Sequence, residues 1–113
     1  MFAQTTVEAK TSGDAKRGEE AYARLCIGCH SIDQNRIGPK HRGVVGRRVG
    51  GVADFKYSDA LTQSKLTWDG ALLDRWLENP EATIKGQRMG FRVTTPATRA
   101  DIIEYLTTQK ASK

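Results

Sequence analysis

Cys26-Ile27-Gly28-Cys29-His30 is the stretch on which the reading of this chain turns. Two thiols flank a two-residue spacer and a histidine follows at once, the pattern at which c-type haem is attached. Chemistry explains the spacing. The thiols add across the two vinyl groups of one porphyrin, so they must stand about one helical turn apart. The histidine directly after the second thiol then lies beneath the iron and supplies an axial nitrogen. The motif therefore reads as one haem c, covalently bound through Cys26 and Cys29, with His30 as a metal ligand. A protein that fixes haem to its own backbone is most often built to move electrons, because the cofactor carries the chemistry and the protein tunes it. Three blander uses of Cys-x-x-Cys fit less well. A zinc site needs two further ligands, but there is no third cysteine, the only other histidine is His41, and no carboxylate stands out. A dithiol redox motif should open a helix after a β-strand, and no strand pattern precedes Cys26. A disulfide across so short a loop would stabilise little.

At 113 residues the chain fits one domain on the rough prior of about 100–200 residues per domain. Only 38% of residues are hydrophobic and 7% aromatic, thin for a core made of protein alone. A buried porphyrin would supply the missing apolar mass. The net charge of +5 and pI of about 9.5 suit acidic partners, nucleic acid or an anionic membrane surface. Nucleic acid is set aside: the basic residues are scattered, with only short pairs such as Lys16-Arg17 and Arg47-Arg48, and no aromatic platform is interleaved with them. A docking face for an acidic redox partner uses the charge better. No apolar run approaches a membrane span. Met1 to Lys10 lacks the charged start and apolar stretch of a signal peptide. It reads as a mature or engineered N-terminus from which an exporting signal has been removed.

Outward from the motif, the chain reads as helices joined by long loops. Residues 1–13 are polar and unpatterned, a loose tail. Asp14 caps a first helix whose stripe is Ala15, Gly18, Ala21, Tyr22 and Leu25, and which delivers Cys26 at its end. Ser31 to Asp54 is rich in glycine and short basic pairs, an irregular loop that needs something to wrap. Ser58 to Ser64 forms a short helix. Thr67 caps a clearer one, with Leu72, Leu73, Trp76 and Leu77 on one face and Pro80 at its end. After a loop from Gly86 to Thr95, Thr98-Arg99-Ala100-Asp101 reads as a capping box opening a last helix, with Ile102, Ile103, Tyr105 and Leu106 on its buried face. Such long loops argue against an assignment unless they carry function, and enclosing a haem is such a function.

Iron with one histidine has a second axial side. Its candidates are Met89, His41 or nothing. Met89 lies in the glycine-bracketed loop Gly86-Gln87-Arg88-Met89-Gly90-Phe91, where a methionine is more often a gap-filler than a ligand. Placed between the last two helices, the loop has the reach to fold across a haem face. Histidine–methionine ligation raises the reduction potential and leaves no vacant site, which favours electron transfer over catalysis. His41 follows Gly38-Pro39-Lys40. It is either a ligand, since histidine is the commonest metal-binding side chain, or a loop histidine flanking the haem.

Taken together, Cys26-x-x-Cys29-His30, Gly38-Pro39, Gly46-Arg47-Arg48-x-Gly50, Phe55-x-Tyr57-Ser58-Asp59-Ala60, Thr67-Trp68, Leu77-Glu78-Asn79-Pro80, Gly86-x-x-Met89-x-Phe91 and Tyr105-Leu106 resemble a class I cytochrome c. The nearest branch is the mitochondrial type with its small soluble bacterial relatives. The motifs run in the family's order from about Gly13 to Gln109. The resemblance implies an all-α cytochrome c fold over residues 14–113: four to five short helices with long loops wrapped around one covalently bound haem, first and last helices crossing where Gly18 approaches the Tyr105 region. It implies His30 as proximal ligand with its other ring nitrogen donating to the Pro39 carbonyl, a bond that fixes the ring and raises its basicity. It implies Met89 as distal ligand. Arg47, Tyr57 and Trp68 match positions around the haem propionates, and all three are hydrogen-bond donors, which buried carboxylates need. Phe91 would pack near the exposed haem edge.

Several positions depart from the family. Leu61 stands where the mitochondrial branch has an asparagine holding a buried water. Trp76 replaces a tyrosine whose hydroxyl approaches the methionine sulfur. Both changes dry the distal side. Lys85 replaces the proline before Gly86 and leaves the Met89 loop less rigid. His41 takes a place usually held by leucine beside the haem. Family lysines around the haem edge are represented by Leu25, Glu81 and Arg88, with Arg36, Lys85 and Arg92 as partial compensation, so the partner differs from the mitochondrial oxidase or the encounter is less charge-driven.

The expectation is a soluble monohaem electron carrier and not an enzyme, passing one electron through the haem edge near Cys26, Arg88 and Phe91. Its donors would be a quinol-oxidising complex or a periplasmic dehydrogenase, and its acceptors a terminal oxidase or a photosynthetic reaction centre. Haem attachment of this type takes place outside the bacterial cytoplasm, so the resemblance implies a periplasmic location. A monomer is expected, since no surplus apolar face is left over. Two rivals stand beside this: a peroxidase or small-molecule sensor, which needs Met89 off the iron and has only His41 as acid–base group, and a domain cut from a larger enzyme.

Overall fold

The computed structural model describes residues 13–111. Residues 1–12, most of the expected tail, lie outside the described residues. Gly13, assigned to the end of that tail, is already packed: a Cβ there would come 2.0 Å from the Ala100 carbonyl oxygen.

Five helices follow, with one isolated antiparallel bridge between Arg48 and Thr67 and no sheet among the described residues. Helix α1 (Ala15–Leu25) starts where an aspartate caps it: the Asp14 carboxylate accepts the Arg17 N–H at 2.8 Å. Gly18, Ala21 and Tyr22 are buried and Leu25 half-buried, as the stripe demands. Helix α2 (Asp59–Gln63) is the expected short helix, capped by Ser58.

Helix α3 (Gly70–Glu78) buries Leu72, Leu73, Trp76 and Leu77, but its cap is Asp69 rather than Thr67. Both residue types cap well. Thr67 is held in the bridge to Arg48, and the Asp69 carboxylate reaches the Leu72 N–H at 2.8 Å. Asn79 ends α3, and Pro80 then opens a further four-residue helix, α4 (Pro80–Thr83), with the Asn79 side chain capping it through Ala82 N–H at 3.1 Å. Proline stops one helix because it lacks an N–H, and starts the next for the same reason.

Helix α5 (Pro96–Thr108) begins earlier than the capping-box reading placed it. Thr98 lies inside it, and the Asp101 carboxylate turns instead to α1, accepting the Asp14 N–H at 2.8 Å and Arg17 Nε at 3.1 Å. Ile102 and Leu106 are buried, whereas Ile103 and Tyr105 are half-buried. Arg99 joins the buried face at 5% exposure, donating from Nε to Asp74 at 2.7 Å and from a terminal nitrogen to the Val93 carbonyl at 2.9 Å. It ties α5 to α3 and to the loop before it.

Helices α1 and α5 meet at Gly18, where a Cβ would lie 1.9 Å from the Asp101 carbonyl oxygen. The ion pair beside this contact predicts an acid sensitivity. The Arg17 guanidinium holds Asp101 below its ordinary value of 3.8, with the Asp14 N–H assisting. A depressed folded-state value stabilises above 3.8 and is lost as pH falls through the folded value. Asp101→Asn is therefore expected to lower the melting temperature at neutral pH, with the gap to the parent closing as pH drops below 3.8. A pH-independent gap in thermal scans of the haem-loaded protein would assign the loss to packing instead.

Candidate functional site

The loops and helices surround a cavity of about 420 Å³, open at one edge. Cys26, Cys29, His30, Pro39, Arg47, Tyr57, Trp68, Trp76, Met89 and Phe91, all ten residues expected at the site, line it. So do Tyr22, Ile37, Val44, Phe55, Leu61 and Leu73.

The attachment segment continues α1 as a turn. The Cys26 N–H donates to the Tyr22 carbonyl at 2.8 Å, and the Cys29 and His30 N–H groups both donate to the Cys26 carbonyl, at 3.1 and 2.9 Å. One turn thus sets two thiols and an imidazole on one wall. Both thiols are free, Cys26 half-buried and Cys29 exposed. Burial, with the neighbouring Cys29 second, pushes Cys26 up to about 11. A dithiol redox motif works with a lowered thiol, so this environment opposes that use. Zinc finds no ligand set either: among the described residues no three of His, Cys, Asp and Glu come together.

His30 Nδ1 lies 2.9 Å from the Pro39 carbonyl. A carbonyl only accepts, so Nδ1 carries the proton and Nε2 keeps its lone pair for a metal. Burial lowers the proton affinity of the ring, which keeps it neutral and ready to ligate. Gly38 closes against the same ring, and its own N–H donates to the Cys29 carbonyl at 2.8 Å.

His41 flanks His30. The two rings stack at 4.1 Å between centroids with planes 22° apart, and His41 Nδ1 pairs with the Tyr22 hydroxyl at 2.8 Å. Burial first, then His30 and Arg47, pushes His41 well below its ordinary value, so it stays neutral. Tyr22, assigned to the apolar stripe of α1, has this second role. A buried tyrosine hydroxyl seeks a partner, and that was the available signal.

Arg47 donates to the Lys40 carbonyl at 2.9 Å and to the Arg42 carbonyl at 2.7 Å. It pairs with no carboxylate among the described residues, and burial lowers its proton affinity. A half-buried cation on a cavity wall without a protein counter-ion calls for an anionic group in the cavity. The Tyr57 hydroxyl accepts the Val52 N–H at 3.0 Å and retains its own proton to donate. Trp68 and Trp76 are buried edge to face at 5.3 Å. Leu61 is buried beside them on the wall. Two thiols, a neutral imidazole, a thioether and an unpaired guanidinium around an apolar space fit a haem with its propionates.

The edge is apolar with basic surroundings. Ile37 is 77% and Phe91 45% exposed. Lys85 and Arg88 are exposed at the surface. Two expected compensating charges are less free: the Arg36 guanidinium donates to the Ile27 carbonyl and, at 3.4 Å, to that of His30, and Arg92 Nε donates to the Glu78 carbonyl at 2.7 Å. No helix among the described residues is long and apolar enough to cross a membrane.

Comparison with known proteins agrees with this geometry. The cytochrome c family model matches residues 15–110. A cytochrome c2 of Rhodomicrobium vannielii is 40% identical, with 92% of this chain and 86% of that protein covered. A cytochrome c of Arabidopsis thaliana is 38% identical over 83% of this chain and 88% of its own length. The solved structure of cytochrome cH from Methylobacterium extorquens has a TM-score of 0.80 and 44% identity, covering 85% of this chain and 99% of that one.

Proposed function

The chain belongs to the cytochrome c family, and from that premise we propose that it is a soluble carrier of single electrons with His30 and Met89 as axial ligands. Family members carry a covalently bound haem c and are electron-transfer proteins, not enzymes. Cys26 and Cys29 are the two cysteines available for the attachment. The group supplies a one-electron ferric–ferrous couple when bound.

The observation that carries the ligand assignment is the shared cavity wall. His30, with Nδ1 already engaged by Pro39, and Met89, the one methionine among the cavity-lining residues, both face it. His41, the other candidate, is stacked on His30 and bonded to Tyr22. The same engagement takes away the acid–base group that a peroxidase would need. Arg47, Tyr57 and Trp68 hold the propionates, Trp76 and Leu61 keep water from the methionine side, and Phe91 with Ile37 borders the edge through which the electron passes.

Basic groups around that edge suit an acidic partner: a quinol-oxidising complex or periplasmic dehydrogenase as donor, and an oxidase or reaction centre as acceptor. The compartment is the periplasm, where haem attachment of this type takes place in bacteria, and the protein acts as a monomer.

The test is the ferric haem-loaded protein, titrated potentiometrically and scanned for the weak near-infrared band of methionine–iron ligation. A single one-electron wave and a band that disappears in Met89→Ala are expected. A native protein without the band, or a band that survives Met89→Ala, ends the assignment of Met89.

A further inference from the structure

We infer that Glu81 and Gln87 are positioning residues for Met89, a carboxylate–amide brace that holds the Met89 loop to the cavity. The inference rests on the reading of Met89 as a ligand and assigns the groups that present it.

The brace begins on α4. Glu81 Oε2 accepts the Gly86 N–H at 3.0 Å, and Oε1 accepts from Gln87 Nε2 at 2.9 Å. Gln87 Oε1 in turn accepts the Met89 N–H at 2.6 Å. The orientation of the amide is determined chemically. A carboxylate only accepts, so it faces the NH2 end; a backbone N–H only donates, so it faces the oxygen. Both carboxylate oxygens and both ends of the amide are engaged, and the last bond ends on the backbone of Met89 itself.

Its foot is rigid. Pro80 is buried, the Thr83 hydroxyl bonds to the Arg75 and Asn79 carbonyls at 2.8 Å each, and the Ile84 N–H donates to the Pro80 carbonyl at 2.9 Å. Beyond that point the loop is held by little besides the Arg92 bond to the Glu78 carbonyl. Among the described residues no backbone–backbone hydrogen bond outside the helices involves residues 85–92, and the next is Val93 N–H to the Leu77 carbonyl at 2.7 Å. Lys85 stands where the family resemblance places a proline, so the rigidity lost there is supplied by side chains. The charge on the carboxylate strengthens both of its bonds, and these bonds, with Lys85 nearby, hold Glu81 below its ordinary value.

The test measures how readily imidazole displaces the methionine in the ferric haem-loaded protein, followed by the near-infrared band. Glu81→Ala and Gln87→Ala are each expected to bind imidazole about tenfold more tightly than the parent, the scale of one charge-assisted hydrogen bond. Gln87→Glu sets two carboxylates face to face and should loosen the loop most. The double variant Glu81→Gln/Gln87→Glu reverses the donor and acceptor of the same contact, leaves an oxygen for Gly86 and another for Met89, and should restore parental affinity. A merely structural pair has no reason to be rescued in this readout. Parental imidazole affinity in Glu81→Ala, with the band present, overturns the brace alone; a native protein without the band overturns the ligand reading and the brace with it.

Discussion

Gly18→Ala is expected to destabilise the haem-loaded protein by about 2 kcal/mol or more, although alanine is the better helix former. The added Cβ would lie 1.9 Å from the Asp101 carbonyl oxygen, 2.6 Å from its carbon and 2.8 Å from Tyr105 Cβ. Two of these three atoms are backbone in the middle of α5, so no rotamer change relieves the clash. The helices must separate instead, and the separation loosens Ala21, Tyr22, Ile102 and Leu106, which pack in the same core. Overpacking of this kind costs about 1–3 kcal/mol and occasionally more. Backbone against backbone belongs at the upper end, and the gain of about 1 kcal/mol from replacing glycine in a helix offsets it only in part. Denaturant unfolding gives the number directly. A variant within about 0.5 kcal/mol of the parent, the scatter of ordinary surface changes, would show that the helices slide apart freely. Tyr22 is on α1, so the Tyr22–His41 bond should loosen as well, and the His41 ring resonances should broaden in the same variant.

The second large effect is expected at Gly38→Ala, and it reaches the site itself. A Cβ at Gly38 would stand 2.1 Å from His30 Cε1 and 2.6 Å from both ring nitrogens. The ring has little room to retreat: Nδ1 is tied to Pro39 at 2.9 Å and His41 stacks on it at 4.1 Å. Either the imidazole tilts or the Gly38-Pro39 segment moves, and each stretches the Nδ1–carbonyl bond. With His30 as the proposed axial ligand, that bond would make its ring the more basic one. A more basic imidazole favours the ferric state, so its loss should raise the reduction potential. A tenfold weaker hold on the ferric state relative to the ferrous corresponds to about 59 mV in a one-electron couple. Voltammetry of the haem-loaded variant measures the shift, and a potential at or below the parental value would show that Pro39 follows the ring and keeps the bond.

These two glycines were legible to different degrees. Gly18 falls on the stripe of α1 at helical spacing, and the family resemblance implied a close helix approach there. Gly38 sits in a loop without periodicity, and nothing local says that an imidazole lies against it. Capping followed the same division. Asp14 and Ser58 cap the helices that follow them. Thr67 and Asp69 competed for one helix, and a bridge to Arg48, far along the chain, decided between them. Asp101 fitted a capping box by spacing, yet its carboxylate went to Arg17 and the Asp14 N–H across the helix crossing. Arg99 entered the reading only as part of the capping-box stretch, but Asp74 and the Val93 carbonyl give it the partners that permit burial.

By itself, then, the sequence determined what depends on neighbours along the chain. The attachment of haem follows from two thiols and a histidine within five residues, because one helical turn sets their separation whatever surrounds it. The all-α character and the approximate helix positions follow from periodicity and turn residues for the same reason. Tertiary structure alone decided the contacts that close over long separations. It stacked His41 on His30 and bonded it to Tyr22. It left Arg47 on the cavity wall without a carboxylate partner among the described residues. Each of these outcomes is a choice among several partners of equal chemical suitability, and only the packing of the whole chain brings one of them within hydrogen-bonding distance.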